Sequence, residues 1–159
     1  MLSCLPILLG ACATPTLLIN EFMADNVSTV ANTRGEYADW IEFCNPGAEP
    51  VSLGGHFLSD SLEDPLRFAL PASWQVPAEG HLLLWAVGAA DEEAFSVPFR
   101  ISASGESLLL AAEAEDGGVE ILDQVRFGAQ DPDTSVARSP DCQPTWIRSE
   151  SPSPGLPNP

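Results

Sequence analysis

The sequence predicts an all-β antiparallel sandwich, on three observations. Fifteen Pro and twelve Gly spread through 159 residues cut the chain into short segments, which argues for strands joined by turns over a helical bundle. Apolar runs bounded by turn signals recur about eight or nine times, at the spacing of a sandwich. Hydrophobic residues reach 45%, enough for one core in a single domain of this length.

The stretch from Gly35 to Gly47 organises the rest. It starts at a turn-forming Gly, alternates as a strand and closes on Asn45-Pro46-Gly47. Ile41 and Phe43 fall on one face, with Trp40, Glu42 and Cys44 on the other. Before it, Thr16–Met23 forms the first strand, placing Leu17, Ile19 and Glu21 opposite Leu18, Asn20 and Phe22. Apolar residues on both faces predict a sheet covered on both sides. Residues 24–34 are polar and form an exposed loop.

Further along, 51–58 is a strand bent at Gly54-Gly55, 59–65 an acidic loop and 66–70 a strand. Residues 81–86 lack alternation, as a central strand covered on both faces would. Residues 95–102 alternate strictly, but Pro98 confines them to an edge segment or a covering loop. Glu115-Asp116-Gly117-Gly118 turns a hairpin between the Leu108–Leu110 strand and the 119–127 strand. In the latter, Val119, Ile121, Val125 and Phe127 share a face. The expected core comprises Ile19, Ile41, Phe43, Leu58, Phe68, Leu83, Trp85, Leu109, Ile121 and Val125. Residues 151–159 hold four Pro and are expected to be extended and mobile.

Charge narrows the functions. The chain carries 23 acids against 6 bases, a net charge of -17, and every base is Arg. Six scattered Arg cannot replace phosphate counterions, so nucleic acid is excluded as a partner. The acidity serves solubility or, alternatively, cation binding.

Several blocks in order resemble the bacterial lamin-tail domain: Leu18 to Asn26, Gly35 to Gly47, Leu58-Ser59-Asp60, Phe68 to Pro71, Trp85-Ala86, Phe99 to Glu106, Val125 to Gly128 and Ala137 to Asp141. The resemblance covers roughly residues 16–128, with a bacterial-style tail beyond. It implies an immunoglobulin-like β-sandwich without agreed catalytic residues. Such domains bind partners in animal lamins and are commonly extracellular modules in bacteria. Cys44 stands where the family pattern usually has an aromatic, and Cys142 where it usually has the last residue of Pro-Asp-Gly.

The N-terminus resembles a lipoprotein signal. An apolar run ends in Leu9-Gly10-Ala11-Cys12, similar to a lipobox, whose Cys becomes the lipidated first residue. The expected organisation is a signal peptide at 1–11, lipidated Cys12 and a tether at 12–15, the sandwich at 16–128, an extension packing on it at 129–150, and the tail. Export removes Cys4 and leaves Cys44 and Cys142 as a candidate disulfide, worth ~4 kcal/mol in the chain-entropy account; two independent buried thiols are the alternative.

Glu21, Asp25, Asp39 and Glu42 lie near the ends of two early strands. Together they form a candidate acid–base pair or Ca²⁺ site, against the reading that they merely cap turns and edges. His56 and His81 have no metal-ligand spacing, and no Gly-x-Ser-x-Gly elbow is present. The expected function is a non-catalytic binding or scaffolding module at the bacterial envelope, with no cofactor. Its partner would be a protein or a cell-surface polysaccharide, and it would touch the membrane through lipid only. A Ca²⁺-dependent adhesive module and a hydrolase using the early acids are the alternatives.

Overall fold

A computed structural model describes residues 17–88 and 95–159. The expected signal, Cys4, the lipidation residue Cys12 and the tether lie outside the described residues. Twelve strands are present among those described, and no helix. In chain order they are β1 (Leu18–Met23), β2 (Asp39–Asn45), β3 (Val51–Ser52), β4 (His56–Ser59), β5 (Phe68–Ala69) and β6 (Gln75–Val76). Then come β7 (Gly80–Ala86), β8 (Ser96–Val97), β9 (Ser107–Glu113), β10 (Val119–Arg126), β11 (Ser135–Arg138) and β12 (Trp146–Ser149).

Two sheets enclose the core: β12-β11-β1-β2-β7-β8 and β10-β9-β4-β5, with β3 and β6 forming a short separate ribbon. All pairings are antiparallel except β7 with β8, so the edge segment predicted around Pro98 exists but runs parallel to its neighbour. The extension after residue 128 does more than pack on the sandwich. It supplies β11 and β12, and β11 pairs directly with β1.

β2 behaves as its alternation requires. Ile41 and Phe43 are fully buried between the sheets with Ile19, Phe22, Leu58, Leu108 and Leu110. Each such side chain stabilises the fold by ~1.5–3 kcal/mol through burial. On the outer face Met23, Trp40 and Trp85 make a second cluster, with Leu83 packed against it. Leu83 and Trp85 were expected in the main core; they instead cover the far side of the same sheet.

Two bulges break the period-two reading. In β1 the register shifts between Ile19 and Glu21, which puts Phe22 on the core face with Ile19 and turns Glu21 to the outer one. In β10 the shift falls between Ile121 and Asp123. Val125 and Phe127 therefore reach the core, whereas Ile121, expected there, is 41% exposed. The β9–β10 turn forms as predicted, with Gly117 at φ 80° and Asp116 Oδ1 accepting from the Gly118 amide.

Candidate functional site

The outer face of β1 and β2 carries the most unusual chemistry. The bulge makes Glu21 and Glu42 direct cross-strand partners, and neither exposes any surface. Two carboxylates cannot both ionise cheaply in such a place. Burial pushes the Glu42 carboxyl up to about 7 and raises Glu21 as well, against the pull of the hydrogen bonds they accept.

Those bonds come from distant segments. Glu21 accepts from Ser135 Oγ at 2.5 Å, from the Ser153 amide at 3.2 Å and from Ser153 Oγ at 3.1 Å. Glu42 accepts from Asn20 Nδ2 at 3.1 Å and from the Gly155 amide at 2.5 Å. Residues 151–159 are therefore not the mobile tail that their composition suggests. Asn158 is buried and donates through Nδ2 to the Asn20 carbonyl. A buried carboxyl needs donors, and the Pro-rich segment brings them as backbone amides.

Asn20, squeezed out at the bulge, ties this pair to a second group. Its Nδ2 also donates to Asp141 Oδ1 at 2.9 Å, and its Oδ1 accepts from the Cys142 amide at 3.0 Å. Asp141 Oδ1 accepts further from the Asn158 amide at 3.0 Å, while Oδ2 lies 3.0 Å from His81 Nε2. Cys142, at φ 56°, is bonded to Cys44 with Cα atoms 6.0 Å apart. His81 and Cys44 are cross-strand partners on β7 and β2. Thus His81, isolated in sequence, sits beside both cysteines and an acid. Its long-range partners left no local spacing by which to find it.

Arg138 locks this end. It donates through Nε to the Ile19 carbonyl, through Nη1 to Gln143 O and through Nη2 to both oxygens of Asp123, and it lies 4.4 Å over the Trp146 ring.

The four acids proposed as a cation site do not converge. Glu21 and Glu42 meet, but Asp25 and Asp39 lie toward the far end of the strands. There Asp39 accepts from the Asn26 amide, and burial raises its carboxyl. Among the described residues, the group of three candidate metal ligands with atoms close to one another is His81, Asp141 and Cys142. Asn26, which opens the glycosylation-type triplet Asn26-Val27-Ser28, is buried and spends its Nδ2 on the carbonyls of Val30 and Ala38.

Beyond Asp39, the sandwich has a surface cavity of about 400 Å³ lined by Glu36, Tyr37, Ala38, Val87 and Arg100. Tyr37 is half exposed there. Sequence reading passed over it, because the segment before β2, Val87 after β7 and Arg100 after β8 contribute its walls from distant parts of the chain.

Two mostly antiparallel sheets of this order, packed around one core, make an immunoglobulin-like β-sandwich module. The family model described as Lamin Tail Domain matches residues 11–129. The chain belongs to the lamin tail domain family, whose members are immunoglobulin-like, non-catalytic domains. No curated protein is significantly similar to it.

Proposed function

We propose that the chain is a non-catalytic binding or scaffolding module, held at the bacterial cell envelope by a lipid on Cys12. The observation that carries the binding reading is the open cavity beside Tyr37 and Arg100, set against the closed state of Glu21 and Glu42. Carboxyls that expose no surface and accept bonds from Ser153 and Gly155 have no route to a substrate. Tyr and Arg at a concave rim are the residue types that dominate protein recognition, and the same Tyr face stacks on sugar rings.

The test is capture of envelope proteins and polysaccharide by the immobilised chain, compared with Tyr37→Ala and Arg100→Ala. A specific partner should bind the wild type and weaken roughly 10-fold or more with either variant, the loss of a typical hot spot. Binding that survives both substitutions refutes the surface. For the anchor, the mature chain should label with palmitate and partition into detergent, and Cys12→Ser should abolish both. A wild type without lipid refutes the location.

The net charge of -17 favours a second reading, Ca²⁺-dependent adhesion, with Asp25 and Asp39 as the ligands. Calorimetric titration that gives no heat at millimolar Ca²⁺ would end it.

A further inference from the structure

We propose that reduction of the Cys44–Cys142 disulfide converts this corner into a zinc site made of Cys44 Sγ, Cys142 Sγ, His81 Nε2 and Asp141 Oδ2. The same four side chains then hold either a disulfide or a metal, never both. This proposal is independent of the partner and of the cavity at Tyr37.

The geometry is already close to that of a metal centre. His81 Nε2, a carboxylate oxygen of Asp141 and Cys142 Sγ lie within 4.8 Å of one another. Asp141 Oδ2 is 3.0 Å from His81 Nε2 and 3.6 Å from Cys142 Sγ. A zinc ion with ordinary bond lengths needs its ligand atoms ~3.3–3.8 Å apart in a tetrahedron. Cys44 Sγ stands outside that group of three, and, once its bond to Cys142 breaks, it turns in as the fourth ligand.

The ligands are also supported in the way a metal site requires. Cys44 and His81 come from paired, central strands. Asp141 and Cys142 are adjacent on one turn, held from beneath by Asn20 through Asp141 Oδ1 and the Cys142 amide. Two further contacts, from the Asn158 amide to Asp141 Oδ1 and from Arg138 to Gln143 O, fix that turn. With Oδ1 occupied by these donors, Oδ2 is the oxygen left to face an ion. A cavity of about 190 Å³ opens onto His81, Asp141 and Cys142 and gives an entry path. A Cys₂-His-carboxylate set suits zinc, because thiolate and imidazole select it over Ca²⁺ and Mg²⁺.

The chemistry balances. A dithiol supplies two electrons and two protons as the S–S bond breaks, and itself becomes a cyclic disulfide. The two new thiols release those protons to solvent when their sulfurs bind the ion. Reoxidation by thiol–disulfide exchange with a small disulfide, which takes up the two electrons and leaves as two thiols, removes both thiolates from the metal and expels it.

The experiment uses the full chain, reduced with a dithiol, freed of it under anaerobic conditions, and titrated with Co²⁺ and then Zn²⁺. One equivalent of Co²⁺ should produce thiolate-to-cobalt charge-transfer absorption and the intense visible bands of a tetrahedral ion, and Zn²⁺ should displace it. The oxidised chain, His81→Gln and Cys44→Ser should each bind roughly 100-fold more weakly or worse, since each lacks at least one ligand. Cys4→Ser/Cys12→Ser should bind like wild type. Zinc should also slow reoxidation of the thiol pair, and His81→Gln should remove that protection. The proposal is overturned if the reduced wild type gives no tetrahedral cobalt spectrum, if His81→Gln binds undiminished, or if the oxidised chain binds as well. Circular dichroism of oxidised His81→Gln, and of Cys44→Ser, which cannot form the disulfide, establishes whether each folds. A reduced wild type that unfolds and is not refolded by zinc likewise overturns the site.

Discussion

Replacing Glu42 with Gln should change how stability depends on pH, and the structure sets the size of the change. Burial lifts the Glu42 carboxyl from 4.5 to about 7, so the folded chain holds a proton there that the unfolded chain releases earlier. A group raised in this way contributes stability that is complete below about pH 4.5. That contribution is lost as pH rises through about 7. At ~1.36 kcal/mol per unit the loss is about 3 kcal/mol. Gln cannot ionise, so the variant lacks this slope. It has a defect of its own: one of the two oxygens that accept from Asn20 and Gly155 becomes an amide nitrogen facing a donor. An orphaned buried donor costs ~1–3 kcal/mol.

The two stability curves should therefore converge or cross. At pH 5 the wild type is the more stable by ~1–3 kcal/mol. By pH 8 the advantage has vanished or reversed. Guanidinium unfolding followed by Trp fluorescence at pH 5, 6, 7 and 8 reads this directly. The general repulsion from a net charge of -17 also destabilises the fold as pH rises, but it affects both chains almost equally and drops out of the difference. A difference between the curves that stays constant from pH 5 to 8 would refute a buried, proton-holding Glu42.

Two further outcomes follow from the same network. Deleting residues 151–159 opens Glu21 and Glu42 to water. Since burial is the largest cause of the raised Glu42 pKa, the pH slope between 4.5 and 7 should flatten, as the same titration would show. An unchanged slope would mean the strap does not cover the pair. Arg138→Ala leaves Asp123 without its cationic partner in a buried place. It should lower the unfolding free energy by ~3–5 kcal/mol, and Arg138→Lys should recover only part of that, because a single ammonium cannot reach the Ile19 carbonyl, the Gln143 carbonyl and Asp123 together as Nε, Nη1 and Nη2 do.

Local alternation settled much of this architecture. Within β2 nothing interrupts the period of two, so Ile41 and Phe43 had to face one side and Trp40, Glu42 and Cys44 the other. The Asp116-Gly117 turn and the all-β class were equally legible, because turn residues act on their own backbone. The ordered blocks that resemble the lamin-tail family carried the sandwich itself. What the sequence could not settle was phase. A bulge inserts one residue and flips every side chain beyond it, and neither Asn20 nor Leu122 marks itself as that residue. From those two shifts came the exposure of Ile121 and the meeting of Glu21 with Glu42. Long-range partners were hidden for a different reason. Asp141 lies 60 positions from His81, and Gly155 lies 113 from Glu42. Composition records only that a Pro-rich tail makes no strand or helix. Glu21 and Glu42 read in the sequence as an acid–base or Ca²⁺ site or as caps of turns and edges, and nothing there showed that they would be buried face to face. Only the folded chain, which buries Glu21 and Glu42 completely, decided that the tail's own amides would be their donors.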